Sequence, residues 1–312
     1  MAKIVTLTPN PAVDLSTSVE RVVPTLKLRG VGQRRDPGGG GVNVARVVKR
    51  FGGDVEAIFP IGGLTGRLLR RLVDEEQIPS RVIEVEAETR EDFFVSELST
   101  QSQYRFIMPG QPLREAEWRE CLAALAAVAP PPLFVIGSGS LPPGVPDDFY
   151  AQAATIARRV GAKFLLDTSG APLATAVEAG VYLFKPNLHE MSELIGSELV
   201  SQEDWRLMAH RLVEEGKAEI VALSLGHLGA MLVTRQQTFR AQALPIIPLS
   251  AVGAGDSFLG ALVFSLANGA DLADAFRLSV AAGAAALVKE GTELCQPADV
   301  YALAAQVKIE IV

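Results

Sequence analysis

Residues 36–59, DPGGGGVNVARVVKRFGGDVEAIF, carry a glycine run, a helical repeat, a second glycine pair and an apolar segment. Val44, Val47, Val48 and Phe51 fall on one stripe of a 3.6-residue period, with Arg46, Lys49 and Arg50 expected elsewhere, on the surface. The segment Val55–Phe59 is near-continuous in apolar residues, as in a strand covered on both faces. A helix that leads directly into such a strand is half of a βαβ unit.

The same rhythm runs along the chain. Apolar runs at Ile4–Leu7, Leu133–Ile136, Phe164–Leu166, Tyr182–Phe184 and Ile220–Leu223 alternate with helical patterns at 114–127, 147–160, 202–215 and 271–288. The sum is an α/β fold: a doubly wound, mostly parallel sheet flanked by helices. Two stretches break the rhythm, residues 12–35 and 89–108. Their partial alternation, with a Ser-Thr-Gln-Ser turn in the second, predicts a small accessory β-sheet. It is expected as a lid over the crevice at the carboxyl ends of the main strands. No low-complexity linker or internal repeat divides the chain, so residues 1–312 read as a single domain with the lid segments inserted in it.

Composition narrows the function. Lys and Arg number 29 against 36 Asp and Glu, a formal net charge of −7, which argues against a general nucleic-acid binder. Hydrophobic residues make up 48%, enough for a substantial core. Cys121 and Cys295 stand far apart, without a metal-binding spacing, and fit buried thiols in a reducing compartment. The start MAKIVTLTPN lacks a signal-peptide pattern, and no apolar run has membrane-spanning length. The expectation is a soluble, cytoplasmic protein with no membrane partner.

Chemistry concentrates at SAVGAGDSF, residues 250–258. Gly253 and Gly255 free the backbone there, so the N–H groups of Gly253, Ala254 and Gly255 can converge as an anion cup at a helix start. Asp256 beside that cup is either the helix-starting acid of a glycine turn or a base taking a hydroxyl proton near a phosphoryl group. The run Gly38, Gly39, Gly40, Gly41 and then Asn43 reads as a ligand-cradling loop, a flexible connector being the alternative.

Lys27, Arg29, Arg90 and Arg105 lie in the lid segments, where they would clamp a phosphate or serve as edge-strand charges. Arg34 and Arg35 look like surface charges. Asp14 follows the first strand and either accepts sugar hydroxyls or caps a turn. Asn187 and Glu190 share one face of a starting helix, as a hydrated Mg²⁺ site or as a capping box. Ser224-Leu-Gly226-His-Leu-Gly229 lies against a nucleotide or forms a hairpin. Val280 and Ala284, one turn apart, suit an adenine face, with core packing the plainer reading.

Other enzyme classes lack their marks. There is no G-x-x-x-x-G-K-[ST] loop, and the glycines at 253 and 255 sit too late in the chain for a dinucleotide fingerprint. No G-x-S-x-G elbow occurs, and three scattered histidines form no triad.

Taken together, the motifs resemble the PfkB group of the ribokinase-like sugar kinases, and within it the minor-type bacterial phosphofructokinases. TLTPNPAVDLSTSVERVVPTLKLRG, RRDPGGGGVNVARVVKRFGG, QYRFIMPG, GSGSLPPGV, KPNLHE, SLG and SAVGAGDSFLGA carry the likeness nearly end to end. The resemblance implies ATP-dependent phosphorylation of fructose 6-phosphate at its C1 hydroxyl. Phosphorylation of tagatose 6-phosphate or fructose 1-phosphate is the alternative, and a sugar- or nucleotide-sensing module the non-enzymatic one. It implies Asp256 as catalytic base and the Gly253–Gly255 amides as anion hole. Asp14, Lys27, Gly39, Asn43, Arg90 and Ser140 would contact the sugar phosphate, assisted by Arg29 and Arg105. Lys185, Asn187, Ser224, Gly226 and Gly229 would line the ATP site, with Asn187 and Glu190 serving Mg²⁺. A K⁺ site would use the loop Ala286–Glu293, including Gly291, with Ser250 and Val252. Lys289 and Glu293 depart there from the Asn and Arg of close relatives. The lid sheet implies a homodimer.

Overall fold

The structure, a computed structural model, describes residues 3–312. The chain begins with β1 (Ile4–Leu7), β2 (Ala12–Val19), β3 (Val31–Gly38) and α1 (Gly40–Arg50). It continues through β4 (Val55–Ile61), α2 (Gly63–Glu75), β5 (Ser80–Glu84), β6 (Arg90–Glu97) and β7 (Ser102–Phe106). Next come α3 (Glu115–Ala126), β8 (Phe134–Ser138), α4 (Phe149–Arg159), β9 (Lys163–Asp167), α5 (Gly170–Glu178) and β10 (Val181–Phe184). Then follow α6 (Leu188–Ile195), α7 (Gln202–Glu214), β11 (Ala218–Ser224), β12 (Ala230–Val233) and β13 (Thr238–Ala241). The chain closes with α8 (Ala254–Ala267), α9 (Leu272–Leu287), α10 (Pro297–Ala304) and β14 (Ile309–Ile311).

Ten strands make the main sheet, in the order β14-β13-β12-β11-β10-β9-β8-β1-β4-β5. All pairings from β5 across to β11 are parallel; β12, β13 and β14 add an antiparallel edge. The six apolar runs read from sequence are β1, β4, β8, β9, β10 and β11. Connections leave β1 toward β4 on one side, while β8 lies on the other. This reversal opens a crevice at the carboxyl ends of the strands, where open α/β sheets bind their ligands.

Helices cover both faces because side chains alternate along each strand. Ile4 belongs to the core under α1, α8 and α9, whereas Val5 and Leu7 belong to the core under α3 and α4. Each fully buried Val, Leu or Phe in these layers contributes about 1.5–3 kcal/mol. Helix α8 is apolar on nearly every side because it is enclosed, with α1 and α9 packed on it. Cys121 and Cys295 are both buried, and burial pushes the Cys121 thiol up to about 12.

The second sheet has the order β3-β2-β6-β7. Its central pair, β2 with β6, is parallel and joins segments far apart in sequence; each is flanked by an antiparallel partner. The structure extends the first segment beyond residue 35. Asp36, Pro37 and Gly38 are the last residues of β3, paired with Asp14, Val13 and Ala12. The expected four-glycine loop is therefore a tight junction: Gly38 ends a strand, Gly39 caps α1, and Gly40 and Gly41 lie in its first turn.

The surface placement of Arg46 is also corrected. It is 1% exposed, the largest fully buried side chain among the described residues, because α1 is covered by α8 on one side and by the β3 end on another. Arg34 is about half-exposed yet ion-paired with Asp36 and Glu293, so it too is more than a surface charge.

Candidate active site

The base of the crevice is the start of α8. Gly253 caps it with φ of 71°, a left-handed value that favours glycine, and a Cβ there would also collide with Leu294. The first intrahelical bond runs from Ser257 N to Gly253 O at 2.9 Å or less (2.8 Å). The N–H groups of Ala254, Gly255 and Asp256 are thus left without helical partners, at the positive end of a buried helix.

Asp256 stands in that first turn, half-buried at the crevice. Its Oδ2 accepts one hydrogen bond, from Asn43 Nδ2 at 2.9 Å. Burial, reinforced by the charge of Asp167, pushes its carboxyl up to about 6, against the opposing pull of Asn43, Lys185 and Arg46. A carboxylate poised there can accept a proton near neutral pH.

Lys185, just past β10, is 7% exposed and pairs with Asp167 Oδ1 at 3.1 Å. Burial alone would depress its ammonium, but the Asp167 charge and hydrogen bond hold it above its ordinary value. A methyl added to Gly255 would lie 3.2 Å from Lys185 Nζ, so the ammonium sits against the α8 start. One cation and the free amides thus converge on one place, an arrangement that can stabilise negative charge.

Asn187 and Glu190 adopt the capping-box arrangement: Asn187 Oδ1 accepts from Glu190 N at 2.9 Å, and Glu190 Oε2 accepts from Asn187 N at 2.8 Å. One Glu190 oxygen stays free of these bonds. Burial and then the nearby Asp167 raise the Glu190 carboxyl. Ser224 bridges Asn187 across β10 and β11, its N donating to Pro186 O at 2.9 Å. Gly226 opens a short 3₁₀ turn to Leu228, and Gly229 leads into β12, so this stretch is a hairpin at the crevice rim. Val280 and Ala284 are both buried on α9, in its packing against α8.

At the other end of the crevice, Asp14 on β2 lies against Gly38, where any side chain would collide with its carboxylate. Asp14 is buried and receives no hydrogen bond from the described residues. Burial and then the neighbouring Asp92 push its carboxyl up to about 8. Asp36, one strand over, is saturated. It accepts from Arg34, from Arg46 Nη2 at 3.4 Å and from Thr292 Oγ1 at 2.7 Å.

Arg90, expected to clamp a phosphate, pairs with Asp92 at 3.2 Å and donates to Asn10 O at 3.0 Å and Met108 O at 2.6 Å. Only its Nε is buried without a partner. Lys27, Arg29 and Arg105 are exposed and have no acidic partner among the described residues. Ser140 accepts from Asn10 Nδ2 at 3.2 Å.

Of the six residues expected around K⁺, three meet: Ser250 Oγ donates to Gly291 O at 2.7 Å and accepts from Val252 N at 3.1 Å. Ala286 O accepts the Lys289 N–H at the end of α9, at 3.1 Å. The two departing side chains turn elsewhere, Lys289 to Asp299 at 2.7 Å and Glu293 to Arg34 at 3.2 Å. No cluster of three or more His, Cys, Asp or Glu among the described residues could hold a metal ion. No helix of the described residues is long and apolar enough to cross a membrane.

Sequence reading missed Asp167, Asn10, Asp36, Asp92 and Arg46. Asp167 closes the apolar run Phe164–Leu166, the same strand-end signal that marked Asp14. Arg46 stands three residues after Asn43, hence on its face of the helix. Asp36 and Asp92 carry no local signal, since strands far apart in the chain bring them to Asp14.

Residues 8–299 match the model of the pfkB family carbohydrate kinases. The ATP-dependent 6-phosphofructokinase isozyme 2 of Mycobacterium tuberculosis is 46% identical over 298 residues, covering 96% of this chain and 88% of the relative. A 1-phosphofructokinase of Xanthomonas campestris is 33% identical over 89% of this chain and 88% of its own. Phosphofructokinase-2 from Escherichia coli, solved with substrates and products, superposes with a TM-score of 0.93 at 38% identity, covering 97% of this chain and 99% of that one. The same enzyme has also been solved with potassium and with fructose 6-phosphate.

Proposed function

The chain belongs to the pfkB family of carbohydrate kinases, and on that premise we propose that it transfers the γ-phosphoryl group of ATP to the C1 hydroxyl of fructose 6-phosphate. One observation carries the reading: a half-buried acid, raised to about 6, stands in the first turn of a helix whose leading amides have no helical partners.

Asp256 takes the proton of the attacking hydroxyl as its oxygen bonds to the γ-phosphorus. The bond from that phosphorus to the β,γ-bridging oxygen breaks, and ADP leaves. The amides of the α8 start and the Lys185 ammonium face the charge that spreads over the transferring group. Asp14 and Asn43 orient the sugar hydroxyls. Lys27, Arg29 and Arg105, exposed and without acidic partners, are the cations available for the existing 6-phosphate, together with Arg90 Nε.

Asn187, Ser224 and Gly226 lie together along the crevice rim, where the nucleotide would rest. Mg²⁺, when bound with the nucleotide, would neutralise phosphate charge. The free oxygen of Glu190 and the nearby Asp167 suit an ion that keeps most of its waters. The Ser250–Gly291 contact is the place to look for K⁺. We read the small sheet as a lid and as the contact of a homodimer. Its exposed apolar residues, Val31, Phe93, Tyr104 and Phe106, with Ile107 just past β7, are more than a solvated sheet face needs.

The test is ADP release by the purified protein against fructose 6-phosphate, tagatose 6-phosphate and fructose 1-phosphate, with and without K⁺. The proposal expects the highest kcat/KM for fructose 6-phosphate. Preference for fructose 1-phosphate would favour the activity named for the 31–33% identical relatives. Sugar-independent nucleotide binding with no turnover would leave a sensing module.

A further inference from the structure

Among the described residues Asn43 makes the only side-chain hydrogen bond to Asp256, and its amide has two ends of nearly the same shape. Only the NH₂ end can donate to a carboxylate. Asn43 Oδ1 accepts from Arg46 Nη1 at 3.1 Å. Flipping the amide would set its carbonyl against the Asp256 carboxylate and its NH₂ against the guanidinium, replacing two attractions by two repulsions.

We infer that Arg46 is a positioning residue for phosphoryl transfer: its guanidinium fixes the Asn43 amide and thereby the carboxylate of the base.

Arg46 can do this because it is itself held from three directions. Glu76 Oε1, at the end of α2, accepts from Nε at 2.7 Å and lies 2.7 Å from Nη2. Pro37 O on β3 accepts from Nη1 at 2.9 Å, and Asp36 Oδ1 lies 3.4 Å from Nη2. A planar fork of five donors can meet all of these at once, which an ammonium cannot.

Its burial sharpens the point. Enclosing a charged group costs several kcal/mol, and well-packed apolar side chains often replace buried ion pairs without loss of stability. The side chain has no exposure, so fold stability alone is a weak reason for a guanidinium here. Its charge also reaches both functional acids, pulling the carboxyls of Asp256 and Asp14 downward. The charged groups facing Asp256 are Asp167 from β9, Lys185 from β10 and Arg46 from α1. Those facing Arg46 are Asp36, Glu76, Arg50, Asp14 and Asp256.

This inference rests on the kinase reading, and its test separates the two. Arg46→Lys, Arg46→Met and Glu76→Gln would be compared with the parent in fructose 6-phosphate-dependent ADP release across the acid side of the pH profile. In Arg46→Met, kcat should fall about 10- to 100-fold while the KM for ATP stays within about threefold. The acid limb of kcat/KM should move to higher pH, because a positive charge near Asp256 and the hold on its Asn43 donor are lost. Arg46→Lys keeps the charge and should fall between. Glu76→Gln weakens the anchoring but not the Asn43 bond, so it should lower the melting temperature and leave the acid limb in place.

The inference is overturned if folded Arg46→Lys and Arg46→Met keep the parental kcat and limb, or if Glu76→Gln moves the limb as far as Arg46→Met. It also falls if both Arg46 variants are recovered only unfolded, since Arg46 would then be structural. No sugar-dependent turnover by the parent protein would overturn the kinase reading itself, and this inference with it.

Discussion

Asp36 and Asp256 are both carboxylates enclosed by the fold, but their surroundings are opposite. Asp36 accepts from two guanidinium groups and a hydroxyl, supplied by β3, α1 and the loop before α10. Asp256 accepts one side-chain bond and otherwise faces the crevice beside a second acid, Asp167. A carboxylate whose lone pairs are filled by donors fastens elements together. One left under-satisfied in a dry site takes a proton readily. Asp14 is the extreme case: buried like Asp36, without a hydrogen bond from the described residues, and raised further than Asp256. The contrast separates holding geometry from doing chemistry, and it can be attacked experimentally.

The largest effect expected is from Asp256→Asn. Turnover should drop about two to four decades, with ATP affinity by calorimetry almost unchanged. The same variant should not melt earlier at pH 8, since it removes an ill-solvated charge. Near-parental kcat would remove Asp256 from the mechanism.

Next comes the pH profile of the parent. Because the base must be ionised and its free-enzyme carboxyl lies near 6, kcat/KM should fall about tenfold per pH unit below that value. A flat profile down to pH about 5 would assign the proton to another group.

Asp36→Ala should act on stability instead. It takes one carboxylate from the buried Arg46, the ion-pair partner from Arg34 and the acceptor from Thr292, and losing one side of a buried pair costs about 3–5 kcal/mol. At about 2–4 °C per kcal/mol, melting should come about 10 °C lower. A variant that melts with the parent would show Asp36 to be dispensable to the junction.

Asp14→Asn carries the smallest effect, with the opposite sign. The folded protein holds the Asp14 proton up to about 8, whereas the unfolded chain releases it near 3.8. Stability therefore declines as pH rises through that window, and the amide escapes the decline. At pH 8 the variant should melt above the parent, and at pH about 4 the gap should close. Its KM for the sugar should rise. A variant less stable at pH 8 would contradict the account of Asp14 as an unsatisfied acid.

Much of the site was legible because it is local in sequence. The α8 turn, its acid, Asn43 and the Lys185–Glu190 segment each announce themselves by glycines, caps or strand ends within a few residues. Arg46 was misplaced because a helical stripe separates the apolar face from the rest, but cannot say what covers the rest. Here the end of β3 and the α2 terminus do so, and a charged residue becomes the largest fully buried side chain among the described residues. Arg90, a phosphate clamp or an edge-strand charge by sequence, has one local partner, Asp92, while its acceptors Asn10 O and Met108 O come from loops distant in the chain.

Periodicity, turn chemistry and the order of apolar runs are properties of neighbouring residues, so the sequence alone determined the layered parallel sheet, the accessory strands and the acid at the α8 start. Only the tertiary structure decided which carboxylates are filled with donors and which are left wanting. Proton affinity depends on burial and on charges brought together from distant parts of the chain, and no local pattern records those distances.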